Sequence, residues 1–96
     1  MTQEERIRKH VDRSIDNYAN QCGHTFQLHA KWEREHIINC GAAVLSTKWG
    51  VGHPGGSFVQ AIVDNDLREA FGRADAVNQD CIKFYVMLVY NTGYIQ

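Results

Sequence analysis

The stretch from Pro54 to Tyr90, PGGSFVQAIVDNDLREAFGRADAVNQDCIKFYVMLVY, decides the fold. It holds three successive helix-start signatures and the most apolar run of the chain. Ser57-Phe58-Val59-Gln60 reads as a capping box, in which a hydroxyl and a longer polar side chain each satisfy a free backbone donor. Asp66-Leu67-Arg68-Glu69 repeats the signature with aspartate as the cap, and Asp75 opens a third helix. Leu67, Ala70, Phe71 and Ala74 form the expected inward face of the middle helix. The last helix carries the stripe Val77, Cys81, Phe84 and Leu88, with Tyr85 beside it, and Asn91-Thr92-Gly93 ends it.

Ile82–Tyr90 is rich in β-branched and aromatic residues and satisfies strand propensity too. A lone strand leaves its edges unpaired, however, and the chain offers no second good strand. The Asp75 cap and an apolar pattern of about sixteen residues decide for a helix.

Upstream, Trp49–Gly56 (WGVGHPGG) is the main loop, with four of the eight glycines and the only proline. Thr2 to about Gln21 is the first helix: Thr2-Gln3-Glu4-Glu5 fits the capping box, and Ile7, Val11, Ile15 and Tyr18 form one apolar stripe. Gly23 stops it. A second helix is predicted from near Thr25 to Thr47 or Lys48, with Phe26, Ala30, Glu33, Ile37, Cys40 and Val44 along one face. Gly41 inside that pattern marks either a break or the close approach of a neighbouring helix. The expected fold is all-α: one domain over residues 1–96, a bundle of about five helices. Two are longer and N-terminal, two are short, and one is long, C-terminal and buried.

With 44% hydrophobic and 22% charged residues, the composition is that of a globular chain and excludes extended disorder. No apolar run reaches the roughly 20 residues that span a bilayer, and the charged start MTQEERIRKH lacks the apolar core of a signal peptide. The expectation is a cytoplasmic protein with no membrane association. Residues 1–50 carry seven Lys/Arg against six Asp/Glu, and residues 51–96 three against five, so the net charge of −1 is spread. No basic face is evident, which makes nucleic-acid binding unlikely as an expectation. Cys22, Cys40 and Cys81 lack CxxC spacing and read as small buried thiols.

The segment GGSFVQAIVDNDLREAFGRADAVN resembles a group of small proteins encoded by phages, prophages and mobile elements. Their shared pattern is close to GGF-x-x-A-V/I-x-x-N-D-L-x-x-A-x-x-R-A-D-x-x-N, followed by an apolar segment ending in Tyr-Asn. Matching positions here are Gly55, Gly56, Phe58, Ala61, Ile62, Asn65, Asp66, Leu67, Ala70, Arg73, Ala74, Asp75 and Asn78, then Tyr90 and Asn91. Ser57, between the glycines and Phe58, departs from it. The resemblance implies a phage origin, hence the cytoplasm of a host bacterium, and a helical fold; it implies no reaction.

Several constellations have the residue types of a site. His29, Glu33 and His36 share one helix face at i, i+4 and i+7, and Glu-x-x-His is a pairing of di-iron bundles; the further ligands such bundles need are missing, and a solvated face explains the spacing as well. Gly55, Gly56 and Ser57 at a helix start, with Lys48 and His53 nearby, could cradle an anion such as a small nucleotide, though the full phosphate-loop pattern is missing. Ser57–Val63 and Asp66–Arg73 have the outline of a helix-turn-helix, but the charge balance is wrong for a major groove. Cys, His and Asp show no catalytic spacing. Asn65, Asp66, Arg73, Asp75 and Asn78 form a polar set on consecutive short helices, read as caps with an Arg–Asp pair fixing the corner; the alternative is a charged surface of Asn65, Asp66, Arg68, Glu69 and Arg73 that docks a partner.

The sequence thus leads to the expectation of a non-enzymatic binding protein without cofactor or metal. Its partner is expected to be a host protein or complex, such as a CRISPR complex. The alternative is an anionic-ligand module using Lys48, His53, Gly55, Gly56 and Ser57. Trp32, Trp49, Tyr94 and Ile95 are candidates for an apolar patch and hence for a homodimer.

Overall fold

The computed structural model describes residues 1–96 and contains six helices and no strand: α1 (Gln3–Cys22), α2 (His24–Trp32), α3 (Arg34–Trp49), α4 (Ser57–Val63), α5 (Leu67–Arg73) and α6 (Ala76–Asn91). The apolar Ile82–Tyr90 segment is helical, as expected. No helix is long and apolar enough to cross a membrane.

At the start of α1 the capping box forms in full. The Glu5 amide donates to Thr2 Oγ1 and the Thr2 amide to Glu5 Oε1, each at 3.2 Å. Ile7, Val11 and Ile15 point inward together with Ser14, whose hydroxyl donates to the His10 carbonyl at 2.8 Å. Gly23 alone separates α1 from α2. Its φ of +92° suits a residue without Cβ, and its amide donates to the Ala19 carbonyl.

The expected second helix is two helices. Glu33 leaves the helical region (φ −126°, ψ 35°) and divides α2 from α3, which raises the count from five to six. The cause is tertiary: the two pieces turn different faces to the core, burying Phe26 and Ala30 before the break and Ile37, Ile38, Val44 and Leu45 after it. At Gly41 the helix runs on unbroken. A Cβ there would sit 2.7 Å from Val11 Cγ1 and 3.1 Å from Leu88 Cδ1, so at Gly41 both α1 and α6 approach α3 closely.

The start of α4 also differs from expectation. Ser57 is the first helical residue rather than the cap and makes no capping hydrogen bond; Gly56, extended, occupies the cap position. The predicted caps Asp66 and Asp75 do form, accepting from the Glu69 amide at 3.3 Å and the Asn78 amide at 2.7 Å. Between α4 and α5 the chain turns through Asn65 at φ +59°, a left-handed conformation that asparagine tolerates.

The core centres on α6. The Phe84 ring meets Phe26 (4.9 Å between centroids), Tyr85 (5.7 Å) and Tyr18 (6.2 Å), and Tyr85 meets Phe58 at 5.8 Å. The buried Tyr85 hydroxyl donates to Asn78 Oδ1 at 2.7 Å, so the interior polar pair is satisfied. Of the predicted α6 stripe, Cys81, Phe84 and Leu88 are buried and Val77 is half-buried. At the far end the tail folds back on α1. Gln3 Nε2 donates to Tyr94 Oη (3.0 Å) and to the Ile95 carbonyl (2.9 Å), Arg6 donates to the Gln96 carbonyl (3.0 Å), and Trp49 packs edge-on against Tyr94 at 5.3 Å.

Candidate functional site

Helix α5 buries a single side chain. Ala70 is buried, whereas Leu67, Arg68, Glu69, Phe71, Gly72 and Arg73 are all exposed. Leu67 and Phe71 were expected to face inward; instead they are 63% and 46% exposed. Their i, i+4 spacing puts them side by side on the outer surface. The reason is that α5 packs through Ala70, with Ala74 half-buried behind it, and two small residues on one edge turn the bulky pair outward. Arg73 Nε donates to Glu69 Oε2 at 3.0 Å rather than pairing with Asp75, which corrects the expected Arg–Asp pair. Asp75 instead meets His36 Nε2 at 3.1 Å. Asn65 and Asp66 serve the α4–α5 turn and the α5 cap, and Arg68 has no ion-pair partner. The polar set predicted for partner docking thus surrounds an exposed apolar pair that periodicity had assigned to the core.

The glycine turn before α4 is occupied by the fold. The Gly55 amide donates to Thr47 Oγ1 at 2.9 Å, and Lys48 Nζ donates to the Val89 carbonyl on α6 at 2.6 Å. His53 lies across a groove of about 380 Å³ between α1 and α3, floored by Ile7, Ala42 and Val51. Lys48 and His53 therefore serve different neighbours, and only Gly56 and Ser57 remain at the exposed start of a seven-residue helix.

The chain matches no family model, no curated protein and no solved structure.

His29, Glu33 and His36 do not share one helix, because the chain breaks at Glu33. His29 is clamped between two carboxylates, Nδ1 to Glu33 Oε2 at 3.1 Å and Nε2 to Asp80 Oδ2 at 2.8 Å. Only the imidazolium donates at both nitrogens, and the Asp80 bond above all holds its pKa above the ordinary histidine value. No three His, Cys, Asp or Glu side chains converge in metal-binding geometry. The arrangement ties α2 to α6 through charge.

All three cysteines are free; Cys81 is buried, and Cys22 and Cys40 are half-buried. Burial pushes the Cys40 thiol up to about 11 and Cys81 to about 12, so neither is a ready nucleophile. Of the expected apolar patch, Trp32 is exposed and Tyr94 too, but Tyr94 meets a half-buried Trp49 edge-on, and Ile95 is half-buried.

One further cluster escaped the linear reading. Arg6, Lys9, His10 and Arg13 line one depression of about 400 Å³ with Met1 and Ile95. Spacings of three and four were the available signal; counting charges over the whole half-chain averaged it away.

Proposed function

We propose that this chain is a non-enzymatic binding protein that modulates a host protein by stoichiometric docking, with α5 as its contact surface. The observation that carries the reading is the exposed pair Leu67 and Phe71, framed by Arg68, Glu69 and Arg73, on a helix that buries only Ala70. Leaving two large apolar side chains in water forgoes roughly 25 cal/mol per Å² of burial. An aromatic and an aliphatic anchor ringed by charge is the anatomy of an interface centre. The phage-type resemblance, whose pattern includes Asn65, Asp66, Leu67, Ala70 and Arg73, favours a host-defence component such as a CRISPR complex as the partner and an inhibitory outcome.

The test is affinity purification from bacterial lysate, followed by reconstitution of the retained protein with purified wild-type and L67K/F71K chains. A stoichiometric complex that loses at least about tenfold in affinity in the double variant, equivalent to about 1.4 kcal/mol, supports the reading. Absence of a stoichiometric partner, or equal binding by the variant, overturns it. So does a homodimer sealed through the same pair, measured by sedimentation.

A further inference from the structure

The cations of α1 are sorted by angle. On the side facing α3 the charges are spent: Arg34 on α3 takes Asp12 (Nε to Oδ1, 2.8 Å) and Asp16 (3.1 Å), and Arg8 pairs with Glu35 and Asn39. On the side facing the tail stand Arg6, Lys9 and Arg13, none of which takes part in any ion pair. Arg6 donates to the Gln96 main-chain oxygen at 3.0 Å, which leaves Lys9 and Arg13 without a partner of either kind. The three line the depression of about 400 Å³ whose remaining wall is Met1, His10 and Ile95.

No side-chain ion pair within the fold neutralises this cluster. Like charges at i, i+3 and i, i+4 repel along a helix. The macrodipole favours cations in the last turn of a helix, and α1 has none there; its basic residues all lie nearer the N-terminus. His10 adds a polar group without adding charge. Its Nε2 lies 3.1 Å from Thr92 Oγ1, and partial burial, reinforced by Arg13, holds its pKa below the ordinary histidine value.

We propose that this groove is a second docking surface, separate from α5, that receives an acidic amphipathic segment of a partner protein. Arg6 and Arg13 are about 10 Å apart along the helix axis at 1.5 Å per residue. A partner helix with carboxylates at i, i+3 and i+7 spans the same length and meets the three cations in register. The aliphatic side chains of Met1 and Ile95 give its apolar face a place to rest. A nucleic acid fits less well, because no Phe, Tyr or Trp ring lines the groove for base stacking and the chain carries a net charge of −1. The surface goes beyond the α5 reading and stands without it, since α1 packs on α2, α3 and α6 but touches neither α4 nor α5.

The experiment is an NMR titration of the ¹⁵N-labelled full chain with a synthetic Glu/Leu peptide bearing glutamates at that spacing. An oligothymidylate of matched charge is titrated in parallel. The expected result is saturable, salt-sensitive perturbation confined to Arg6, Lys9, His10, Arg13 and Ile95 with the peptide. K9E/R13E should weaken it at least about tenfold, while R68E on α5 leaves it unchanged. Should the reversed variant fail to fold, K9Q/R13Q takes its place with a smaller loss expected. Tighter binding of the oligonucleotide, perturbation elsewhere, or no saturable binding overturns the proposal.

Discussion

Gly41 shows how one missing methyl group sets the spacing of three helices. Alanine at this position gains about 1 kcal/mol in helix propensity. Its Cβ, however, would press within 2.7 Å of a branched Val11 methyl and 3.1 Å of Leu88, and overpacking of this kind costs about 1–3 kcal/mol. G41A should therefore destabilise the protein by up to about 2 kcal/mol in urea unfolding, and the same change in a V11A background should cost far less. The glycine was legible as a choice between break and close approach; only the facing side chains, distant in sequence, decide between them. His29 and His10 act with opposite sign. The His29 pKa is raised in the folded state, so its contribution is fully present below the unfolded value of about 6.5 and is lost as pH rises through the folded value. The His10 pKa is lowered, so its contribution is present above that value and is lost on acidification. H29Q should lose more stability at pH 6 than at pH 8.5, and its urea midpoint should fall more steeply than the wild type's as the solution is acidified.

Element by element, caps were readable where the acceptor is aspartate and misread where it was serine. Asp66 and Asp75 are short carboxylates aimed at a donor three residues on; Ser57 was displaced because the pinned Gly55 carries the chain into α4 one residue early. Asp75 also meets His36, whereas Asp66 makes the longer capping bond alone. D75A should accordingly cost about 1–2 kcal/mol and D66A about 0.5–1 kcal/mol, read from denaturant midpoints at neutral pH. The break at Glu33 left no trace in sequence, since glutamate is a good helix former and neither glycine nor proline stands near it. Helix α5 failed the other way. Leu67 and Phe71 keep the spacing of a core face, but a seven-residue helix seated on alanine has only one side to bury. With Leu67 63% and Phe71 46% exposed, the pair is only partly covered, so L67K/F71K should cost about 1–2 kcal/mol in urea unfolding and leave the bundle folded.

Across the whole molecule, α6 is the post around which the others are set, and the apolar Ile82–Tyr90 run announced it. The two proposed surfaces lie on elements that do not touch each other: α5 with its apolar pair, and the tail side of α1 with its unpaired cations. The bonds from Gln3 and Arg6 to residues 94–96 bring the first turn and the last strip of backbone side by side. A short Gly/Ser bridge could therefore splice the ends, with a new opening cut beside His53 in the exposed glycine loop. Such a circular permutant should keep the far-ultraviolet helical spectrum and melt cooperatively; loss of the cooperative transition would mean that chain order, rather than packing alone, holds the bundle together.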